Sequence, residues 1–196
     1  FLAQLPSAMV VLGHDTRFGC RAEGSHAYLR ENYSHRVRSV CLDPTLFEDR
    51  PVSSTRIREA VLGGELARAA GMLGRHFSTR GLVVKGYARG RQLGFPTANI
   101  QPQGGLVLPP LGVYAVEVRV GDRSYGAVAN LGSRPTFENQ AEPLLEVHLF
   151  DFNGDLYGTE IEVLWKRFIR PERRFASKEA LMAQIQSDAR EARHGT

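Results

Sequence analysis

The chain has 196 residues, a formal charge of +4 and a pI near 9.3, with 42% hydrophobic and 23% charged residues. That length holds one generous domain, or one compact domain with a piece of another, and the composition is that of an ordinary soluble protein. The basic excess suits the holding of a polyphosphate but falls short of a dedicated nucleic-acid surface. The only cysteines, Cys20 and Cys41, stand in no CxxC or Cys/His cluster, which argues against a zinc site or a disulfide scaffold and for a reducing cytoplasm. No apolar run approaches the roughly 20 residues of a membrane helix, and the start lacks the basic and apolar regions of an export signal. Because the first residue is Phe1 and not Met, the natural N-terminus is expected upstream.

Residues 8–13 (Ala-Met-Val-Val-Leu-Gly) form a continuous apolar run, the pattern of a buried parallel strand whose C-terminal loop can face a ligand. Residues 37–42 predict a second strand. Residues 56–62 and 65–73 read as helices parted by Gly63-Gly64. Two strands and a few helices make an incomplete α/β sheet.

From Phe77 the pattern becomes β. In residues 113–120, Tyr114, Val116, Val118 and Val120 share one face while Glu117 and Arg119 take the other. Gly121-Asp122 turns the chain into residues 125–131. Residues 144–151 alternate again, with Leu145, Val147 and Leu149 opposite Glu146 and His148, and Asn153-Gly154 offers a tight hairpin turn into residues 157–165. Strands in such a series predict a closed antiparallel barrel. Ser177 can cap a final helix whose Leu181, Met182 and Ile185 form a stripe against the barrel.

The stretch Lys85-Gly-Tyr-Ala-Arg-Gly-Arg-Gln-Leu-Gly-Phe-Pro-Thr-Ala-Asn99 carries most of the chemistry. Gly86, Gly90 and Gly94 let backbone approach a bulky anion, and Lys85, Arg89 and Arg91 supply positive charge. It is not a Walker loop, because no Gly-Lys-Ser/Thr follows at the required spacing. Pro96 biases Phe95 toward an extended backbone, so Thr97 and Asn99, two apart, point their oxygens the same way. Two neutral oxygens suit Mg²⁺, which completes its shell with phosphates and water. A Gly/Arg-rich surface turn leading into a Pro-initiated strand accounts for the same residues without a ligand. Glu146, equally, can be a strand residue paired with a neighbouring cation.

The motifs Gly86 to Gly90, Leu93-Gly-Phe-Pro-Thr-Ala-Asn99, Gly112-Val-Tyr-Ala115, Ala129-Asn-Leu-Gly-Ser-Arg-Pro-Thr-Phe137, Leu145-Glu-Val-His-Leu149 and Phe168-Ile-Arg-Pro-Glu172 occur in order. Together they closely resemble the riboflavin kinase family. The resemblance implies a six-stranded antiparallel barrel with a C-terminal helix. It also implies transfer of the γ-phosphoryl group of ATP to the ribityl 5′-hydroxyl of riboflavin, giving FMN. By resemblance, Lys85, Gly86, Gly90, Arg91, Pro96, Thr97 and Asn99 hold ATP, Thr97 and Asn99 hold its Mg²⁺, and Glu146 is the catalytic carboxylate. Tyr114, Phe137, Arg170 and Phe175 are the expected flavin contacts. The family's loop reads Gly-x-Gly-x-Gly, whereas Ala88 stands in the middle here. Lys166, Arg167, Arg170, Arg173 and Arg174 form a basic run that reads as a solvated face. A different class of answer is a basic barrel that binds nucleic acid or another anion without catalysis.

Val11-Leu-Gly-His-Asp-Thr-Arg-Phe-Gly19 and Val52-Ser-Ser-Thr-Arg-Ile-Arg58 resemble the latter half of the FMN adenylyltransferase domain that precedes the kinase in bacterial bifunctional FAD synthetases. That implies a partial α/β nucleotidyltransferase segment over residues 1–72 before a kinase domain at 73–196. Ser53, Ser54 and Thr55, just before a helix, make a sensible phosphate site with Arg58, since free N–H groups favour anions there. Plain N-capping explains the same residues. The ATP-gripping His loop of that domain has no counterpart in this sequence. The chain is therefore expected not to adenylylate FMN, and FAD formation from FMN, ATP and Mg²⁺ by the purified chain would overturn the expectation.

Overall fold

The structure, a computed structural model, describes residues 8–86, 94–102, 105–134 and 142–194. These group into two compact units that meet in sequence between Val52 and Ser53.

In the first unit, strand β1 (Ala8–Gly13) pairs in parallel with β2 (Val37–Leu42), from Ala8 opposite Val37 to Gly13 opposite Leu42. Helix α1 (His26–Tyr33) makes the crossover, with the Ser25 hydroxyl accepting the Tyr28 N–H at 3.1 Å. The sequence pattern did not predict α1, because its only buried residue is Leu29 and a single apolar anchor leaves no stripe to read. A two-residue pair, β3 (Leu46–Phe47) with β4 (Arg50–Pro51), follows.

The second unit begins with helices α2 (Ser54–Leu62) and α3 (Leu66–Leu73). In compactness they group with the barrel, where Leu66 of α3 joins the core. Then come β5 (Ser78–Val84), β6 (Ala98–Pro102), β7 (Gly112–Val120), β8 (Arg123–Arg134), β9 (Glu142–Leu149), β10 (Glu160–Arg170) and helix α4 (Lys178–Arg193). The six strands form a closed antiparallel barrel in the order β10-β5-β6-β9-β8-β7, which the β10–β7 ladder seals. Closure leaves no exposed edge.

The alternation read from sequence decides what fills the barrel. Val116, Val118, Leu145, Val147 and Trp165 are buried inside, and Glu117, Arg119, Glu146 and His148 point outward. Trp165 donates its indole N–H to the Thr79 hydroxyl at 2.8 Å, so neither polar group is stranded in the core.

Two expectations need correction. Asn153-Gly154 is not a hairpin turn between adjacent strands, because β9 lies between β6 and β8 while β10 lies between β5 and β7. The segment between them crosses the barrel end instead, burying Leu156 in the core. In α4, Ser177 caps as expected, accepting the Ala180 N–H at 3.2 Å. Leu181, Met182 and Ile185 are only half-buried, however, and the buried positions are Asp188 and Ala192. Ala192 and Ala189 pack outside the barrel on Val113, Ala115, Val128 and Phe150.

On another part of the outer face, Ser78 donates to Glu162 at 2.7 Å and Lys166 approaches Glu117 at 3.0 Å, with Arg119 between the two carboxylates. The Ser78 hydrogen bond and the Lys166 ammonium respectively hold Glu162 and Glu117 below their ordinary 4.5. A depressed carboxyl contributes stability that is present above its unfolded pKa and lost as pH falls through the folded value. Urea midpoints should therefore be flat above about pH 5 and fall below about pH 4, and a Glu117→Gln/Glu162→Gln double variant should show a shallower acid loss.

Candidate active site

The outer faces of β6, β9 and β8 carry the expected chemistry in one row. Asn99 of β6 lies directly opposite Glu146 of β9, and Glu146 lies directly opposite Asn130 of β8. Directly opposed residues of an antiparallel pair place their Cβ atoms about 5 Å apart, within side-chain reach. Asn99 is buried and Glu146 half-buried, so the carboxylate stands at the border between core and solvent.

A cavity of about 470 Å³ opens beside this row, where β6 begins. Pro96, Thr97, Ala98 and Asn99 form one wall, and Phe152 to Tyr157 of the crossover form the other. Asn99 thus belongs both to the cavity and to the row containing Glu146. The Thr97 segment is tied down by His148, whose Nδ1–H donates to the Pro96 carbonyl at 2.8 Å and whose ring meets Phe95 edge-on at 5.5 Å. The crossover wall is braced in turn: Asp151, at φ 56, accepts both Arg193 guanidinium arms at 2.8 and 3.2 Å, and Arg193 also lies over Phe150.

Gly86, just past β5, shows why a glycine occurs there. A Cβ at that position would lie 2.1 Å from the Asn99 amide nitrogen, so the bare backbone is what lets Asn99 take its place. Lys85 beside it is exposed. Gly90, Arg91 and Phe137 lie outside the described residues. A hydroxyl and an amide oxygen at one cavity wall are hard, neutral donors, which fits a divalent ion that arrives with phosphates better than a site built wholly from protein. Among the described residues, no three of His, Cys, Asp and Glu converge as a metal cage would require.

The remaining described residues expected as contacts do not line this cavity. Tyr114 is wholly buried inside the barrel, its hydroxyl bonded to the Pro110 carbonyl and its ring edge-on to Trp165 at 5.0 Å and Phe168 at 5.2 Å. It serves the core. Arg170 forks onto Asp188 of α4 at 2.7 Å, and Phe175 lies under the guanidinium groups of Arg170 and Arg173. Ser53 caps α2, accepting the Arg56 N–H at 3.3 Å, with Ser54, Thr55 and Arg58 in the first turns. Sequence reasoning did not single out Asn130, His148 or the 152–157 wall as site residues. His148 left a signal by sharing the polar face of Glu146, and Asn130 by lying in the 129–137 motif.

Comparison with known proteins settles the family. The model of the flavokinase family, riboflavin kinase, matches residues 73–196. The chain belongs to the riboflavin kinase family. It is 37% identical over 193 residues to a bifunctional riboflavin kinase/FMN adenylyltransferase of Listeria monocytogenes, covering 98% of this chain and 62% of that one. With the Escherichia coli K12 protein of the same name the identity is 41% over 186 residues, covering 94% and 59%. The chain therefore spans about three-fifths of the length of these curated relatives. A solved structure from Streptococcus pneumoniae, described as a macrolide-efflux protein, matches with a TM-score of 0.84 at 35% identity, covering 96% of this chain and 60% of that one. No helix among the described residues is long and apolar enough to cross a membrane.

The fit of Asn99 against Gly86 generates a test specific to this riboflavin kinase barrel. Gly86→Ala should lower the thermal midpoint by about 2–4 °C in calorimetric unfolding, because the added methyl displaces the buried Asn99 amide.

Proposed function

We propose that this chain phosphorylates riboflavin at the ribityl 5′-hydroxyl, using Mg·ATP and releasing FMN and ADP. The observation that supports it most is the pairing of Asn99 with Glu146 across β6 and β9 at the edge of a nucleotide-sized cavity, in a chain of the riboflavin kinase family.

In this reading the nucleotide occupies the cavity between the Pro96–Asn99 wall and the crossover, with Lys85 and Gly86 at hand, and Gly90 and Arg91 are assigned to it from the sequence motif. Thr97 and Asn99 present their oxygens to the nucleotide-bound Mg²⁺. The ion, when bound, offsets charge on the transferring phosphoryl oxygens. Glu146 accepts the proton of the 5′-hydroxyl as that oxygen attacks the γ-phosphorus and the bond to the ADP oxygen breaks. Phosphoryl transfer asks little covalent chemistry of a protein, so the stiffness of the paired strands that carry Asn99 and Glu146 contributes through positioning. Phe137, and Phe175 with its flanking arginines, remain the proposed border of the flavin.

The whole protein, at the length of the bifunctional relatives, would also adenylylate FMN to FAD. Residues 1–72 are then a part of the FMN adenylyltransferase-like domain, with Ser53, Ser54, Thr55 and Arg58 near its phosphates, and residues 73–196 are the kinase. The cytoplasm, where riboflavin and ATP are both available, is the proposed location.

The anion-binding alternative, which would use Lys85, Arg89, Arg91 and the 166–174 run, is not favoured. Most of its basic run is already paired within the chain: Lys166 with Glu117, Arg167 with Glu191, Arg170 with Asp188 and Arg173 with Gln184. To test the kinase reading, riboflavin, FMN and FAD are separated by chromatography after incubation with Mg·ATP. Glu146→Gln should lower FMN formation by at least about 100-fold while leaving the melting transition in place, and unchanged turnover would remove Glu146 from the mechanism.

A further inference from the structure

The row that contains Glu146 does not stop there. Asn130 lies directly opposite Glu146 in the β8–β9 ladder, on the side away from Asn99. Its amide nitrogen donates to Glu172 Oε1 at 3.3 Å. One carboxamide therefore sits between two carboxylates, one bonded and one adjacent in register. An amide has two N–H donors on one arm and a carbonyl on the other, so a carboxylate on each side draws the donor arm and repels the oxygen. The bond to Glu172 fixes which way the group is turned.

Glu172 is brought to Asn130 by two further features. Gly132, two residues along β8, leaves the space it needs: a Cβ there would lie 2.6 Å from Glu172 Oε1. Two residues before Glu172, Arg170 is held by Asp188 of α4 through contacts of 3.0, 3.1 and 2.7 Å, and Gln184 donates to the same carboxylate at 2.6 Å. Asp188 is only 3% exposed, so this pin is shielded from water. A span of two residues reaches at most about 7 Å, which keeps Glu172 close to a fixed point.

We infer that Asn130 is a positioning residue for the Glu146 carboxylate and that Glu172, anchored to the C-terminal helix through Arg170 and Asp188, sets the orientation of Asn130. This rests on Glu146 being the base. A group held in line with the attacking hydroxyl gains from each constraint on its orientation, and a displacement of about 1 Å can cost about 100-fold in rate.

The test is steady-state FMN formation by the full chain with riboflavin and Mg·ATP, for Asn130→Ala, Glu172→Ala, Glu172→Gln, the Asn130→Ala/Glu172→Ala double variant and Glu146→Gln. Asn130→Ala and Glu172→Ala should each lower kcat about 10-fold with KM for both substrates within about 2-fold, since in this inference the neighbouring amide orients the base and not the substrates. Glu172→Gln, whose amide oxygen can still accept from Asn130, should restore kcat to within about 2-fold. The double variant should be no worse than Asn130→Ala alone, because the two act in series. Full kcat in either alanine variant, or multiplying losses in the double, would overturn the inference. If Asn130→Ala does not fold, Asn130→Ser replaces it in the cycle and the same outcomes decide. An active Glu146→Gln protein instead defeats the assignment of the base. An inactive Glu146→Gln protein beside fully active Asn130 and Glu172 variants defeats only the positioning role.

Discussion

The register of β6 against β9 is the constraint on which the site depends. Asn99 opposite Glu146 means that Ala98 meets Val147 and Ile100 meets Leu145, so one set of pairings fills the core and the alternate set builds the site. A slip of one residue would carry Glu146 into the barrel and Val147 onto its surface, exchanging buried valine for buried carboxylate. The hydrophobic interior thus enforces the placement of the polar row outside it. Closure of the barrel through β10 and β7 makes that register rigid, because no strand is free to slide at an edge.

The C-terminal helix depends on the barrel in a different way. Its apolar contribution is Ala189 and Ala192 against Val113, Ala115, Val128, Phe150 and Ile169, with Leu181, Met182 and Ile185 half-buried. What locates it is the buried fork between Arg170 and Asp188, aided by Gln184. A buried ion pair gains little net stability, since desolvation offsets most of the Coulomb attraction, but it penalises every arrangement in which either partner is left alone. Such a contact is better suited to choosing one docking of a helix than to strengthening it. Arg193 and Asp151 make a second ion pair at the C-terminus of the same helix, on the exposed side, where the contact is worth less.

These two contacts place the helix against both halves of the site. Through Asp188 the helix holds Arg170, next to the segment that reaches Asn130 beside Glu146, and through Arg193 at its C-terminus it braces the residue that precedes the 152–157 wall of the cavity. The positive φ of Asp151, unfavourable for a residue with a side chain, occurs where the bidentate Arg193 contact and the packing of Phe150 offset it. The cavity and the carboxylate row are separate pieces of surface joined by Asn99 on one side and by α4 on the other.

Much of this was readable along the chain. The period-two alternation at residues 113–120 and 144–151 determined which side chains face inward, because strand geometry alone alternates them. The Pro-Thr-Ala-Asn run and the glycine at position 86 declared a close backbone approach next to two oxygen donors, and the ordered motifs declared the family. What the sequence could not supply was adjacency between strands. Asn153-Gly154 has the local chemistry of a hairpin, yet β9 and β10 are not neighbours, since closing six strands requires the chain to cross the barrel end and bury Leu156. Likewise α4 reads as a leucine-led stripe, but its buried face is set by where Arg170 emerges from β10. Periodicity is a property of a few consecutive residues, whereas the pairings that set Asn130 beside Glu146 and Asp188 beside Arg170 join residues that only the folded barrel brings together.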